Sequence, residues 1–175
     1  MRNIIHTPRI LKRLTYKRKQ KLEIFGVGTQ IFMHPSKDSH RGDLDMTTRE
    51  TIFPVNRHAL YEEHGYSAAI RTGDLLFVSG QVGSHSDGTP EPDFERQVEL
   101  AFENLKATLA AAGCTVNDIV DVTTFHTDPE QQFGAVMKVK QKIFSAPPYP
   151  NWTAVGVTWL AGFDFEIKVI ARIPQ

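Results

Sequence analysis

The residues of this chain that could do chemistry gather at two places far apart in sequence. Leu75 to Gly83 reads LLFVSGQVG, an apolar run that stops at Ser79-Gly80-Gln81. Such an ending sets backbone N–H groups and a hydroxyl where a ligand can approach without meeting a Cβ. A glycine at a bulge or bend explains the same letters with no ligand at all. The second place is Glu166, in the alternating segment FDFEIKVIARIP near the C-terminus. Composition alone reads it as a solvated or interface-paired carboxylate, because Glu is rarely buried.

Other reactive residue types point away from metal and redox chemistry. The seven His show no ligand spacing on a common element: His126 falls in a strand, and His58, His64 and His85 in loops. No metal is therefore expected. Cys114 is the only cysteine, which excludes a disulfide framework and a zinc knuckle and fits a reducing, cytoplasmic setting. It follows Ala110-Ala111-Ala112-Gly113 and reads as a small buried residue after a helix end. No apolar run approaches the roughly 20 residues of a membrane span, so no membrane partner is expected.

The elements that must position these groups follow from pattern. Glu50–Pro54 reads as a first strand, and Tyr66–Thr72 and Leu75–Val82 as two strands joined by a two-residue turn at Gly73-Asp74. From about Asp93 to Ala112, apolar residues recur at steps of three and four (Phe94, Val98, Ala101, Phe102, Leu105, Leu109, Ala112). Asp93 can cap that helix, and Gly113 suits the left-handed position after it. Ile119–Thr127 reads as a strand. Asp128-Pro129 opens a second helix, with Gln131 three residues past the cap and Phe133, Val136, Met137, Ile143 and Phe144 as its stripe. Pro147, Pro148 and Pro150 forbid its continuation. Strands at about Trp152–Leu160 and Phe163–Ile173 would then form a hairpin at Ala161-Gly162.

This order predicts an α+β fold, a single mixed β-sheet with two helices on one face. In the last strand Phe163, Phe165, Ile167, Val169 and Ala171 should pack under the helices. Asp164, Glu166, Lys168, Ile170 and Arg172 should face away. A second sheet face that stays half apolar wants a partner, so a closed symmetric oligomer with its sheets packed inward is expected.

At 175 residues the chain suits one domain with a sizeable core, yet its formal charge of zero hides a split. Residues 1–45 carry ten Lys and Arg against four Asp and Glu, a net of +6, and residues 46–175 a net of −6. An acidic domain is a poor nucleic-acid binder, since phosphate contacts need a basic face. The first 22 residues hold eight basic residues and no acidic one, which suits a transit peptide or a basic nucleic-acid-binding arm. The expectation preferred here is a third one: residues 1–45 are a basic, disordered extension with a mis-assigned start, and the native start is Met46. The domain is then 46–175.

Taken together, SGQVG, the Ala-Ala-Gly after the first helix and FEIKVIARIP resemble the Rid family, the reactive intermediate deaminases also called YjgF or RutC. SAAIRTGDLLFVSGQVGS and SAPPYPNWTAVGVTWLAGFDFEIKVIARIP look like its YjgH branch. The resemblance covers about residues 48–174. It implies a chorismate-mutase-like fold and a homotrimer with a small-molecule ligand in each intersubunit cleft. It also implies hydrolysis of enamines or imines to a keto acid and ammonia, in reactive intermediate detoxification, without cofactor or metal.

Carried over by position, the resemblance implies Glu166 as the catalytic residue that holds the attacking water. Tyr66, Ser79 and Gly80 then line the cleft. Two positions depart from the family pattern. A carboxylate-clamping arginine is replaced by Trp152, and a cleft asparagine by Met137. Between Lys142 and Lys168 there is no Lys or Arg to take over. An indole in place of a bidentate guanidinium removes a cation and supplies one N–H and a large apolar face. Simple 2-imino acids should therefore bind poorly, and a non-catalytic ligand-binding trimer stays open beside the deaminase. Trp152 reads equally as a ligand platform and as a core or interface aromatic.

Overall fold

The computed structural model describes residues 48–175. Expectations about residues 1–45 and a start at Met46 lie outside the described residues. Six strands form one mixed sheet: β1 (Glu50–Ile52), β2 (Ala69–Thr72), β3 (Leu75–Val82), β4 (Ile119–His126), β5 (Asn151–Gly156) and β6 (Phe165–Arg172). Three helices accompany them: α1 (Leu60–Glu63), α2 (Phe94–Ala111) and α3 (Pro129–Ile143). The α+β class and single mixed sheet match the expectation, but α1, a single turn, was read as loop. Four residues are too few to show a helical period.

Local chemistry places most boundaries. Gly73, at φ 58°, makes the two-residue turn between β2 and β3, where Thr72 pairs with Leu75. The Asp93 carboxylate accepts from the Arg96 N–H at 2.9 Å and starts α2. Gly113, at φ 73°, ends it. Asp128 caps α3 by accepting from the Gln131 N–H at 3.3 Å, but the return bond to the Asp128 N–H comes from the Gln132 side chain at 3.1 Å.

α2 and α3 pack on one face of the sheet. Val98, Ala101, Phe102, Leu105 and Leu109 of α2 and Val136 and Val139 of α3 meet Leu76, Val78, Val122, Phe165, Ile167, Val169 and Ala171 from the strands. Cys114 lies in this core as a free thiol. The predicted stripe of α3 is corrected in one place, since Phe133 is 47% exposed. The seam that faces the core runs Gln132, Val136, Val139, Ile143, and Phe133 stands one residue off it.

The larger correction concerns the last two strands, which form no hairpin. The sheet order is β1-β2-β3-β6-β4-β5. β5 runs parallel to β4 at the sheet edge, while β6 lies antiparallel between β3 and β4. The reason is burial. Phe165, Ile167, Val169 and Ala171 are at most 1% exposed between two neighbouring strands, whereas a hairpin beyond β5 would leave them at an edge. The α3 crossover sets β5 beside β4, and residues 157–164 carry the chain back across the end of β4. There the Val157 N–H donates to the His126 carbonyl at 2.8 Å and the Thr127 N–H to the Asp164 carbonyl at 3.2 Å.

The opposite face carries an apolar row in register, Ile70–Phe77–Ile170 on β2, β3 and β6. No helix among the described residues is long and apolar enough to cross a membrane.

Two buried imidazoles make the fold sensitive to acid. His126 is 0% exposed, bonded through Nε2 to the Thr124 hydroxyl at 2.9 Å, and His58 is stacked on Tyr61 at 4.1 Å. Burial lowers both below the usual imidazole value of 6.5. Below 6.5 the unfolded chain takes up protons that the folded chain refuses, so the stability held above that value is lost as the pH falls toward the folded pKa values. The denaturant midpoint should drop between pH 7.5 and pH 5. In His126→Asn the drop should be smaller, and an unchanged drop would assign the effect to other groups.

Candidate functional site

The site begins with an irregularity in β3. Val78 pairs with Val169 and Gln81 with Ile167, so Ser79 and Gly80 together stand opposite Lys168 alone. This β-bulge adds one residue and reverses which side chains face the helices. Leu76 and Val78 point into the core before it; Gln81, 0% exposed, points into the core after it. Val82, the register partner of Glu166, consequently turns to the other face.

A buried amide holds the bulge in place. The Tyr61 hydroxyl donates to Gln81 Oε1 at 2.8 Å, and Gln81 Nε2 donates to the Ser79 carbonyl at 3.0 Å. The Ser79 N–H and hydroxyl donate to the carbonyls of Ala68 and Ser67 at 2.9 and 2.7 Å. Ser79 therefore spends its hydroxyl on the fold. Its contribution to the site is its backbone position.

Gly80 is where β3 and β6 meet the site. A Cβ built on Gly80 would stand 1.9 Å from Glu166 Oε1 and 2.3 Å from its Cδ. Gly80 is not in the left-handed region, so the glycine is required for space. The Glu166 carboxyl lies flat on its backbone, half-buried, and makes no hydrogen bond to any described residue. Burial raises its pKa above the usual 4.5, and Lys168 partly opposes the rise. The Tyr66 ring packs edge-on to Tyr61 at 5.1 Å. Its hydroxyl is pushed up to about 12, first by burial and then by Tyr61 and Glu166, so it stays a proton donor.

Tyr66, Gly80 and Glu166 share a pocket of about 230 Å³. Leu60 and His64 close it from α1 and the turn after it, Val82 and Phe163 form its floor, and Trp159, Leu160 and Ala161 form a wall. Among the described residues no Lys or Arg lines it. Of the residues singled out from sequence, the fold thus brings together Tyr66, Gly80 and Glu166, with Ser79 adjacent. Trp152 and Met137 do not line it in a single chain. Trp152 packs edge-on to Phe144 at 5.7 Å, with Lys140 Nζ 3.9 Å from its ring centroid. Lys140 reaches the indole from α3 and does not line the pocket. No group of three or more His, Cys, Asp or Glu that could hold a metal occurs among the described residues.

Sequence reasoning also missed His64, Gln81, Tyr61 and the wall at Trp159 and Leu160. Trp159 and Leu160 fall in the segment expected as strand, but β5 ends at Gly156. Nothing local distinguishes His64 or Tyr61 from loop residues.

The family described as Endoribonuclease L-PSP matches residues 56–173. The RutC family protein YjgH of Escherichia coli K12 is 77% identical over 130 residues, which span 74% of this chain and 99% of that protein. A 2-iminobutanoate/2-iminopropanoate deaminase of Dermatophagoides farinae is 30% identical over 97 residues, 54% of this chain and 74% of that protein. A solved structure of YjgH superposes with a TM-score of 0.71 at 78% identity, covering 73% of this chain and 98% of that one.

The position of Glu166 makes its cost measurable. As pH rises past 4.5 the unfolded carboxyl ionises before the folded one, so Glu166 lowers stability at neutral pH. Glu166→Gln should melt higher than the parent at pH 7, and the gain should vanish toward pH 4. Equal melting at pH 7 would show that the carboxylate bears no burial cost.

Proposed function

This chain belongs to the Endoribonuclease L-PSP family, also called the YjgF, RutC or Rid family, and on that premise we propose that it deaminates a reactive imine or enamine hydrolytically. Some relatives carry deaminase names, whereas the very similar YjgH is named only as a RutC family protein. The observation that carries the reading is a carboxyl with a raised pKa and no hydrogen-bond partner among the described residues, seated on Gly80 beside a protonated tyrosine.

In the proposed reaction Glu166 takes a proton from water as its oxygen attacks the imine carbon. The C=N bond becomes a C–N single bond, and its nitrogen takes a proton from the Tyr66 hydroxyl or solvent. Glu166 then returns its proton to that nitrogen, the C–N bond breaks to release ammonia, and the carbinolamine hydroxyl gives its proton back to Tyr66 or to solvent as the C=O bond forms, which restores both groups. An enamine must first tautomerise to the imine. The Gly80 backbone and the Tyr66 hydroxyl orient the substrate. The described lining offers no Lys or Arg for a carboxylate, and burying one without a charged partner is costly, so a simple 2-imino acid is a poor substrate. The same absence of Lys and Arg argues against a polyphosphate ligand such as RNA.

We further propose that the chain works as a cytoplasmic homotrimer. The bare apolar face of the sheet and the open edge at β5 support association, which would bring Trp152 and Met137 of one copy toward the pocket of the next. The replacement of the clamp arginine by Trp152 also favours a second reading, a trimer that binds a small molecule without turning it over.

Ammonia release from imines generated in situ separates the two readings. Wild-type protein should exceed the spontaneous rate, and Glu166→Ala should reduce the catalysed part by a factor on the order of 10²–10⁴. Equal rates would remove Glu166 from the mechanism, and no catalysis with any imine would favour the binding reading. Light scattering should give three times the chain's mass; a monomer would exclude a cleft built from two subunits.

A further inference from the structure

The wall formed by residues 157–164 has features that the deamination reading does not use. Trp159 is 75% exposed, although most large apolar residues of this chain are buried, and it nonetheless lines the pocket of Glu166. It stands on a loop pinned at both ends. The Val157 N–H donates to the His126 carbonyl at 2.8 Å, and the Thr127 hydroxyl to Asp164 Oδ1 at 2.8 Å. The buried Gln97 side chain accepts from the Asp164 N–H at 2.8 Å. Between these anchors Ala161 has φ 52°, a left-handed conformation that an alanine adopts only when its surroundings enforce it. A strained turn between fixed ends presents Trp159 and Leu160 to the pocket in one arrangement.

The pocket is also divided by chemistry. Glu166 and Tyr66 supply proton-transferring groups, while Val82, Trp159, Leu160 and Phe163 supply apolar surface. An aromatic ring held with one face free is a platform for an apolar or aromatic group.

We infer that Trp159 is the specificity-determining residue of this site, and that the substrate is an uncharged imine or enamine bearing a bulky branched or aromatic substituent that packs on the indole. This rests on the reading of the pocket as the deaminase site, but it concerns binding and can be tested without turnover. Residues Leu160 and Phe163 complete the receptor for the substituent. Small imines would occupy the polar part alone and gain nothing from the wall.

The chain has two tryptophans, so Trp152→Phe leaves Trp159 as the sole indole fluorophore. Phenylacetamide and acetamide serve as stable, uncharged, planar probes that differ only in the apolar substituent. Phenylacetamide should change Trp159 emission saturably in Trp152→Phe. It should bind the wild-type protein at least about tenfold more tightly than acetamide, as burial of a ring predicts. The ratio should fall toward one in Trp159→Ala and survive in Trp159→Phe, both at an exposed position where folding is spared. A ratio unchanged in Trp159→Ala would overturn the inference. So would Trp159 emission that is blue-shifted and unresponsive to either probe, as packing against a second copy would produce. A preference without ammonia release would uphold Trp159 as the receptor for the apolar substituent and sink the deaminase reading, whereas ammonia release without the preference would do the reverse.

Discussion

The contact between the Glu166 carboxyl and the backbone of Gly80 is the constraint on which the rest of the site depends. It joins the two central strands at the one point where β3 carries no Cβ. It also exists only because the bulge at Ser79-Gly80 brings a side-chain-free position opposite β6. In a regular strand Gln81 would face the pocket, and its amide would compete for the carboxyl. With the extra residue, Gln81 turns inward, Tyr61 and the Ser79 carbonyl satisfy it, and Glu166 has no hydrogen-bond partner among the described residues. A carboxyl that is half-buried and unpaired holds its proton longer than usual, which is the property a proton-transferring group needs near neutrality.

Glu166 can be buried there because β6 is central. Its neighbours on either side in sequence, Phe165 and Ile167, are fully covered by α2 and α3, so the strand cannot slip by one residue without turning four apolar side chains to solvent. The same central placement forces the chain to leave β5 at the edge and return over the end of β4. That return supplies the pocket wall. One packing decision therefore produces both the position of the acid and the shape of the space in front of it.

Electrostatics then narrows what the space accepts. The described lining has no Lys or Arg, and the cation nearest in kind to a clamp, Lys140, stands over the Trp152 ring away from Glu166 within one chain. A cation on an aromatic face is attracted by the ring quadrupole, which holds the ammonium and the indole as a unit. The family fold is retained, with an ammonium and an indole paired at this edge of the sheet.

The sequence by itself determined the class of fold, the helix caps at Asp93 and Asp128, the turn at Gly73-Asp74 and the alternation of Phe165 to Arg172. These rest on periodicity and local hydrogen bonding, which neighbouring letters express. It also pointed to Gly80 and Glu166, through an odd glycine at a strand end and a carboxylate on an outward face, and the family resemblance added Tyr66. Only the tertiary structure decided that β6 lies between β3 and β4, that Trp159 rather than a hairpin follows β5, and that Lys140 meets Trp152. Strand order is set by competition among strands for burial, and contacts between residues many positions apart follow from that order. Neither leaves a local pattern to read.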